Sequence, residues 1–585
     1  MTSPRGQQPT VRLTQGIYTG KIIDDDDLPR EIEAFLGIPY AEAQRLQRAS
    51  HPPASSETFN ASEYGPACPT ADPSVPSHES CLSANVFRPL SQGPGEATKK
   101  VPVLVYVHGG AFNFGRGADR NLGAFVAFAK KDIIAVSFNY RLGPLGFLPC
   151  GIAANWGISN LGLHDQRTLL DWVHQNIAQF GGNAEDVTVM GFSAGAHSVC
   201  HPSFLGHHLL STPSRRLFRR AILESGAATA RSVLAATHPR HEAQFAQFLS
   251  LASLSHLPRD QILPALRSLP LPKLLQASVA VWMENAPSVQ WPFQPSIDGN
   301  ANTETAIIPG MPIRTWKTPS PDLPSPPPLI TGFNSSEGTT FVPASASSPT
   351  ALKDFFAALI PSLTQSDLET LDSLYPLASS YPPPPTPGHG AQFRRLAHAY
   401  GHYGYIAPLI HSAHFASRKG GPVWVYEYAA HADLGAANHG DHVPPATRDS
   451  DMLSPHRTPG LWAASEAMHG FWSSFVTCED SGQGPNELVN SSGITWPRFV
   501  SPFGDLPGGA DDHVPKDDED EVRGKIIVFG EGNDEFMGRH GQRRHGTVAR
   551  VRTLTETEVR QFRFWWDRVG LSEGMGIADE DGARL

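Results

Sequence analysis

Four short stretches of this chain carry residue types whose order suits acyl transfer. In "GFSAGAHS" Ser193 stands two residues from a glycine on either side, and in "YVHGGAFNFG" Gly109 and Gly110 follow an apolar run. Glycines around a serine let a strand turn sharply into a helix while the hydroxyl projects, and consecutive glycines expose backbone N–H groups to a developing oxyanion. Gly109 and Gly110, together with the N–H of Ala194, are therefore the candidate oxyanion donors. A serine hydroxyl is a weak nucleophile at neutral pH, so it needs a base, and the base needs an acid that fixes its tautomer. Glu337 in "LITGFNSSEGTTF" and His439 in "GAANHGDHV" sit in glycine-rich loops after apolar runs and are the candidates. Taken singly, each feature has a plainer reading: a capping serine, an ordinary Gly-Gly turn, one structural histidine among 25. With 53 glycines in 585 residues, chance nearly supplies the Gly-x-Ser-x-Gly spacing, so context must decide.

That context is a succession of buried strands and helices. "VPVLVYV", "DIIAVSFNYR", "VTVMGFS", "RAILESG", "PPLITGFN", "PVWVYEY" and "KIIVFG" are short apolar runs rich in Val and Ile, as in strands buried on both faces. "VRLTQGIYTGKIID" and "REIEAFLGIPYA" read as edge strands. In "DQRTLLDWVHQNIAQFGG", Leu169, Trp172, Val173, Ile177 and Phe180 share one helical face, and Gly181 and Gly182 supply a stop. Alternating strand and helix predicts an α/β fold with a large, mostly parallel sheet whose functional groups lie at the carboxyl ends of the strands. Residues 231–320 read as a helical insertion with proline interruptions. "PDLPSPPP" and "YPPPPTPGHG" read as surface connectors, and "DDHVPKDDEDEVRG" as a solvated acidic loop. No internal repeat is present, and residues 1–585 are taken as one domain.

Composition excludes several classes. A net charge of −11 leaves no excess of Lys and Arg for a nucleic-acid partner, and no apolar run is long enough to span a bilayer. "MTSPRGQQPTVRLTQG" lacks the apolar stretch of a secretory signal, so a cytoplasmic protein is expected, or a secreted one whose N-terminus has been trimmed. Five cysteines are an odd number, and the sequons at Asn60, Asn334 and Asn490 matter only in a secreted chain. No Cys or His cluster has ligand spacing, so neither a metal nor an organic cofactor is expected.

Together, "FLGIPYAEA", "CLSANVFRP", "VPVLVYVHGGAFNFG", "FNYRLGPLGFL", "NLGLHDQRTLLDWVHQNIAQFGGNAEDVTVMGFSAGAHS", "RAILESG", "SIDG", "GFNSSEG", "NHGDH" and "WPRF" span nearly the whole chain. The sequence resembles the type-B carboxylesterases, the cholinesterase-like and fungal lipase-like branch of the α/β hydrolases. The resemblance implies an α/β-hydrolase fold, a triad on Ser193, Glu337 and His439, and oxyanion donors at Gly109, Gly110 and Ala194. It also implies a family disulfide between Cys68 and Cys81, bridged in a secreted chain and reduced in a cytosolic one. Two departures bear on substrate. Phe192 stands where cholinesterases carry an acid, and the segment between Cys68 and Cys81, "PTADPSVPSHES", lacks the aromatic ring that would face a quaternary ammonium. The expected activity is hydrolysis of neutral, hydrophobic small-molecule esters through an acyl-enzyme. The alternatives are an acyltransferase or lactone-forming or lactone-opening tailoring enzyme of secondary metabolism, and a catalytically silent binding protein on the same fold. His442, three residues past His439, is read as a loop residue rather than a second base.

Overall fold

The apolar runs become strands because β-branched and aromatic side chains pack well on a pleated surface covered from both sides. The computed structural model describes residues 8–90, 100–199, 217–229, 233–298, 306–308, 310–313, 326–383, 388–480, 482–488, 491–503 and 523–572. Its strands are β1 (Thr10–Leu13), β2 (Gly16–Thr19), β3 (Lys21–Ile23), β4 (Ile32–Pro39), β5 (Thr58–Asn60), β6 (Ser83–Pro89) and β7 (Val101–Val107). They continue with β8 (Ile134–Phe138), β9 (Gly182–Phe192), β10 (Arg220–Glu224), β11 (Leu329–Asn334), β12 (Val423–Tyr428), β13 (Lys525–Glu531) and β14 (Thr547–Thr553).

Among the described residues, eleven of these strands form one sheet in the order β14-β13-β12-β11-β10-β9-β7-β8-β6-β4-β3. The pairings from β8 through β7, β9, β10, β11 and β12 to β13 are parallel, and both flanks are antiparallel. β3 is an edge strand, as its sequence suggests, whereas β4, also read as an edge strand, is paired on both sides, with β3 and β6. β1 and β2 instead leave the main sheet and pair with β5 in a small one of their own.

Alternation along β7 shows why the sheet needs two helical layers: Val103, Val105 and Val107 enter one core, and Leu104 and Tyr106 the other. The helices that fill these cores and frame the strand ends include α1 (Leu122–Phe128), α2 (Leu161–Asn176), α3 (Ala194–Val199), α4 (Pro239–Leu251), α5 (Arg259–Ser268), α6 (Leu271–Asn285) and α7 (Pro459–Thr477). α2 packs Leu169, Trp172 and Val173 into the first core, whereas α1 and α7 cover the opposite face with Phe125, Phe471, Trp472 and Phe475. Each such side chain, once fully buried, contributes about 1.5–3 kcal/mol.

α2 begins at Leu161, before the periodic residues in its sequence. Asn160 is held at φ +55° while its amide donates to Ser296 O at 2.8 Å and Asp298 Oδ2 at 2.9 Å, a distant tie that opens the helix. The helix tightens to 3₁₀ over Ile177–Phe180 and ends at Gly181, φ +89°, a left-handed residue that suits glycine.

Between β10 and β11 the described residues form α4, α5 and α6, which share the first core. Residues 299–305 and 314–325 of that stretch lie outside the described residues, as do most of "PDLPSPPP", Pro384–Pro387, most of the acidic run before Arg523, Cys200 and Asn490. Cys68 and Cys81 are joined as a disulfide, and Cys150 and Cys478 are free and buried.

Candidate functional site

The carboxyl ends of β7, β9, β10, β11 and β12 bring the candidate residues together. β9 runs straight into α3 through Ser193, which sits at φ +53°. Only close packing explains so abrupt a turn: a Cβ on Gly191 would overlap the Gly195 carbonyl, and one on Gly195 would overlap Val107 O. Ser193 N–H donates to Glu224 O at 2.8 Å, and Ser193 O accepts from His197 N–H at 2.9 Å, so both backbone bonds of the elbow are made without the hydroxyl. Ala194 is the first residue of α3, where N–H groups have no acceptor within the helix.

The loop after β7 lies against this elbow. A Cβ on Gly109 would sit 2.9 Å from Phe192 O and 3.1 Å from Ser193 Cβ. Gly110, Ala111 and Phe112 follow at φ +109°, +52° and +62°, a left-handed run that costs about 1 kcal/mol or more at each non-glycine position. Asn113 Nδ2 and Gln294 Nε2 donate to Ala111 O at 2.8 and 2.9 Å and hold the loop in this shape. Replacing Gly109, a candidate oxyanion donor, with alanine is expected to lower kcat by about 10²-fold, the scale of losing one such donor. Steady-state kinetics on a p-nitrophenyl ester, with the fold checked by circular dichroism, would measure it.

Glu337 and His439 meet across the loops that follow β11 and β12. Ser336 N–H donates to Ala437 O at 3.0 Å and Thr339 Oγ1 to Asn438 Oδ1 at 2.7 Å, clipping the loops together. His439 Nδ1 then donates to Glu337 Oε2 at 2.5 Å, leaving Nε2 as the basic nitrogen. The other oxygen, Oε1, accepts from Ser225 Oγ at 2.6 Å and Asn334 N–H at 2.7 Å. Burial alone would raise the Glu337 pKa, but the His439 ring and these donors outweigh it and hold the carboxyl below its ordinary value. Phe192, Phe341 and Tyr405 surround the His439 ring with centroids 4.9, 5.1 and 4.5 Å away. Tyr405 lies on a π-helical turn, His402–Ile406, a form of helix that often marks functional positions.

Beneath the elbow is a second carboxylate that the sequence reading passes over. Glu224, the last residue of β10, is fully buried and ion-paired with Arg120 through both oxygens. Its Oε1 also accepts from Trp472 Nε1 at 2.9 Å. Burial opposes its ionisation, yet Arg120 brings its pKa down to about 2. His442, in the turn after His439, is fully buried, with Nε2 3.8 Å from Glu224 Oε2 and Nδ1 3.0 Å from Asn334 Nδ2. "LESG" at the end of an apolar run carries the one signal for this layer, an acid where a core strand should hold none. Among the described residues, no group of three or more His, Cys, Asp or Glu could hold a metal ion.

Residues 7–504 match the model of the Carboxylesterase family. The chain belongs to that family. This carboxylesterase is 30% identical over 533 residues to secreted lipase 4 of Gibberella zeae, covering 88% of its own length and 90% of the relative's. It is 27% identical over 486 residues to the para-nitrobenzyl esterase of Bacillus subtilis, with 80% and 89% covered. Its fold is that of Aspergillus niger EstA, with a TM-score of 0.74 at 23% identity over 97% of this chain and 99% of that one. The carboxylesterase has the α/β-hydrolase fold and is a carboxylic ester hydrolase. No helix among the described residues is long and apolar enough to cross a membrane.

Proposed function

We propose that this carboxylesterase hydrolyses neutral, apolar small-molecule esters through an acyl-enzyme on Ser193. The observation that carries the reading is the 2.5 Å bond from His439 Nδ1 to buried Glu337, which leaves Nε2 as the basic nitrogen of a ring that packs 4.9 Å from Phe192, the residue before the serine. Ser193 Oγ attacks the ester carbonyl as His439 takes its proton, and the N–H groups of Gly109, Gly110 and Ala194 hold the oxyanion. His439 returns the proton to the leaving alkoxide, and the alcohol departs. Water then gives a proton to the same nitrogen as it attacks the acyl carbon, and His439 passes that proton to Oγ as the acyl–Oγ bond breaks, releasing the acid with Ser193 restored. Nothing in the site or its relatives favours acyl transfer, lactone chemistry or a silent binding role over hydrolysis.

Two features support a neutral, apolar substrate. Phe192 packs beside His439 where an acid would have offered a cation its counter-charge. Half-buried rings also run in sequence from the glycine loop towards the histidine: Phe114 to Trp282 at 4.8 Å, Trp282 to Trp291 at 5.7 Å, Trp291 to Phe341 at 5.3 Å and Phe341 to His439 at 5.1 Å. The test is a panel of esters graded by acyl length, together with an acylcholine and its neutral 3,3-dimethylbutyl isostere. The isostere is expected to be turned over at least about tenfold better in kcat/KM, the scale of one unpaired charge in an apolar site. Preference for the acylcholine would overturn the reading, and a fluorophosphonate adduct mapped to a residue other than Ser193 would overturn the mechanism.

We also propose that the protein passes through the secretory route rather than staying in the cytoplasm. The Cys68–Cys81 bond supports it, as does a relative named for its secretion. Asn60 is exposed at the end of β5, whereas Asn334 is buried beside Glu337, so a glycan fits the first and not the second. Peptide-N-glycosidase treatment of the secreted protein is expected to convert Asn60 to aspartate and leave Asn334 unchanged in a tryptic mass map.

A further inference from the structure

His442 and His439 stand three residues apart and approach one carboxylate from opposite sides, one directly and one through an amide. Asn334 Nδ2 lies 3.3 Å from Glu337 Oε1 and 3.3 Å from Ser225 Oγ, and 3.0 Å from His442 Nδ1. Because an ionised carboxylate only accepts, the Asn334 atom facing it must be the NH₂. His442 Nδ1 must then accept, and the ring carries its proton on Nε2. That nitrogen faces Glu224 Oε2 at 3.8 Å, beyond hydrogen-bond range, so the attraction on this side is electrostatic only. His439 holds the opposite tautomer, with its proton on Nδ1 and bonded to Glu337. Asn334 Oδ1 has no partner among the described residues, so the amide is oriented from its nitrogen side alone.

From this geometry we propose that His442 is a positioning residue for hydrolysis: by accepting at Nδ1 it holds the Asn334 amide with its NH₂ on Glu337 Oε1, leaving Oε2 to His439. The proposal rests on the reading of Ser193, Glu337 and His439 as the working triad. The groups that face His442 are Glu224 on β10 with Arg120 behind it, Tyr426 and Tyr428 on β12 at ring distances of 5.9 and 6.5 Å, and Phe192 at 5.5 Å, which also touches His439. The path from Glu224 through His442 and Asn334 to Glu337 joins the strand that accepts the Ser193 N–H to the acid that orients the base. Loss of the His442 acceptor frees the amide to turn and removes a donor from Glu337. The carboxylate then becomes a stronger partner for protonated His439, while with one donor fewer on Oε1 its own orientation is less well fixed.

Three substitutions separate this role from simple packing. An asparagine carbonyl can occupy the place of a histidine Nδ1, whereas glutamine reaches the place of Nε2. His442→Asn is therefore expected to keep kcat within about threefold of wild type, while His442→Leu and His442→Gln lose about 10- to 50-fold with KM unchanged, the scale of one hydrogen bond to a charged group. The acid limb of kcat/KM in His442→Leu is expected to move to higher pH. In an Asn334→Ala background, His442→Leu should cost nothing further, because both changes break the same link. Circular dichroism confirms that each variant is folded, and the comparison of His442→Asn with His442→Gln stands even if the leucine variant fails to fold. Equal or better activity in His442→Gln than in His442→Asn, a change in KM alone, or additive losses in the Asn334→Ala background would each overturn the proposal. If Ser193→Ala retains turnover, the triad reading itself falls. If Ser193→Ala is dead and His442→Leu is normal, only the role of His442 falls.

Discussion

Ser193→Ala is expected to lower kcat for a p-nitrophenyl ester by about 10⁴- to 10⁶-fold, the range that accompanies loss of a triad nucleophile. The size of the effect follows from the proposed mechanism, in which His439 has nothing to deprotonate without Oγ and no acyl-enzyme can form. Stability is expected to stay close to wild type. The elbow's two backbone bonds, to Glu224 O and from His197 N–H, do not use the side chain, and alanine tolerates φ +53° about as well as serine. Glycines at 191 and 195, rather than the serine, permit the crossing of β9, α3 and β7. Steady-state kinetics together with loss of fluorophosphonate labelling would measure the outcome. Turnover close to wild type in a variant with unchanged thermal stability would remove Ser193 from the mechanism.

Arg120→Leu is expected to destabilise the fold by about 3–5 kcal/mol, because it leaves the Glu224 carboxylate buried without its counter-charge. Both side chains are almost wholly out of solvent, at 1% and 0% exposure, so water cannot replace the guanidinium. In the wild-type fold Glu224 is held from the ordinary 4.5 down to about 2. A depressed carboxyl pKa stabilises the fold above the unfolded value, and that stability is lost as pH falls from about 4.5 towards 2. In Arg120→Leu the sign reverses: burial raises the Glu224 pKa, and the deficit should shrink as pH falls and the acid takes up its proton. Glu224→Gln in the Arg120→Leu background should recover most of the loss at neutral pH, because an amide can be buried beside Trp472 without a charge. Urea unfolding of the single and double variants at neutral and mildly acidic pH would measure both effects. An Arg120→Leu deficit that persists unchanged in acid would show that packing over Tyr106, 4.8 Å from the guanidinium, governs instead.

What can be read along the chain is the set of groups attached to local patterns. Ser193, the Gly109-Gly110 pair, Glu337 and His439 each follow a strand whose apolar run is unmistakable, and the helix from Leu161 carries its buried face in its spacing. The places of Glu224, Ser225, Asn334 and His442 at the site go unread for the opposite reason. They lie at the ends of runs that read as ordinary core, or beside a stronger candidate, and none has a spacing that marks it. Arg120 and Glu224 are 104 residues apart, and Trp472 is a further 248 from Glu224, so no local pattern could pair them. β1 and β2 show the same limit in the backbone, since alternation predicts a strand but not which sheet accepts it.

Sequence alone determined the α/β alternation, the order of Ser193, Glu337 and His439 behind successive strands, and the glycines without which the elbow and its neighbouring loop could not pack. Those are consequences of side-chain size, backbone freedom and period, which act over a few residues. Only the tertiary structure decided that His439 and Glu337 meet at 2.5 Å, that Phe192 lies against both histidines, and that Glu224 and His442 form a second polar layer beneath them. Those depend on which strand ends converge, and that is set by the packing of the whole sheet between its two cores.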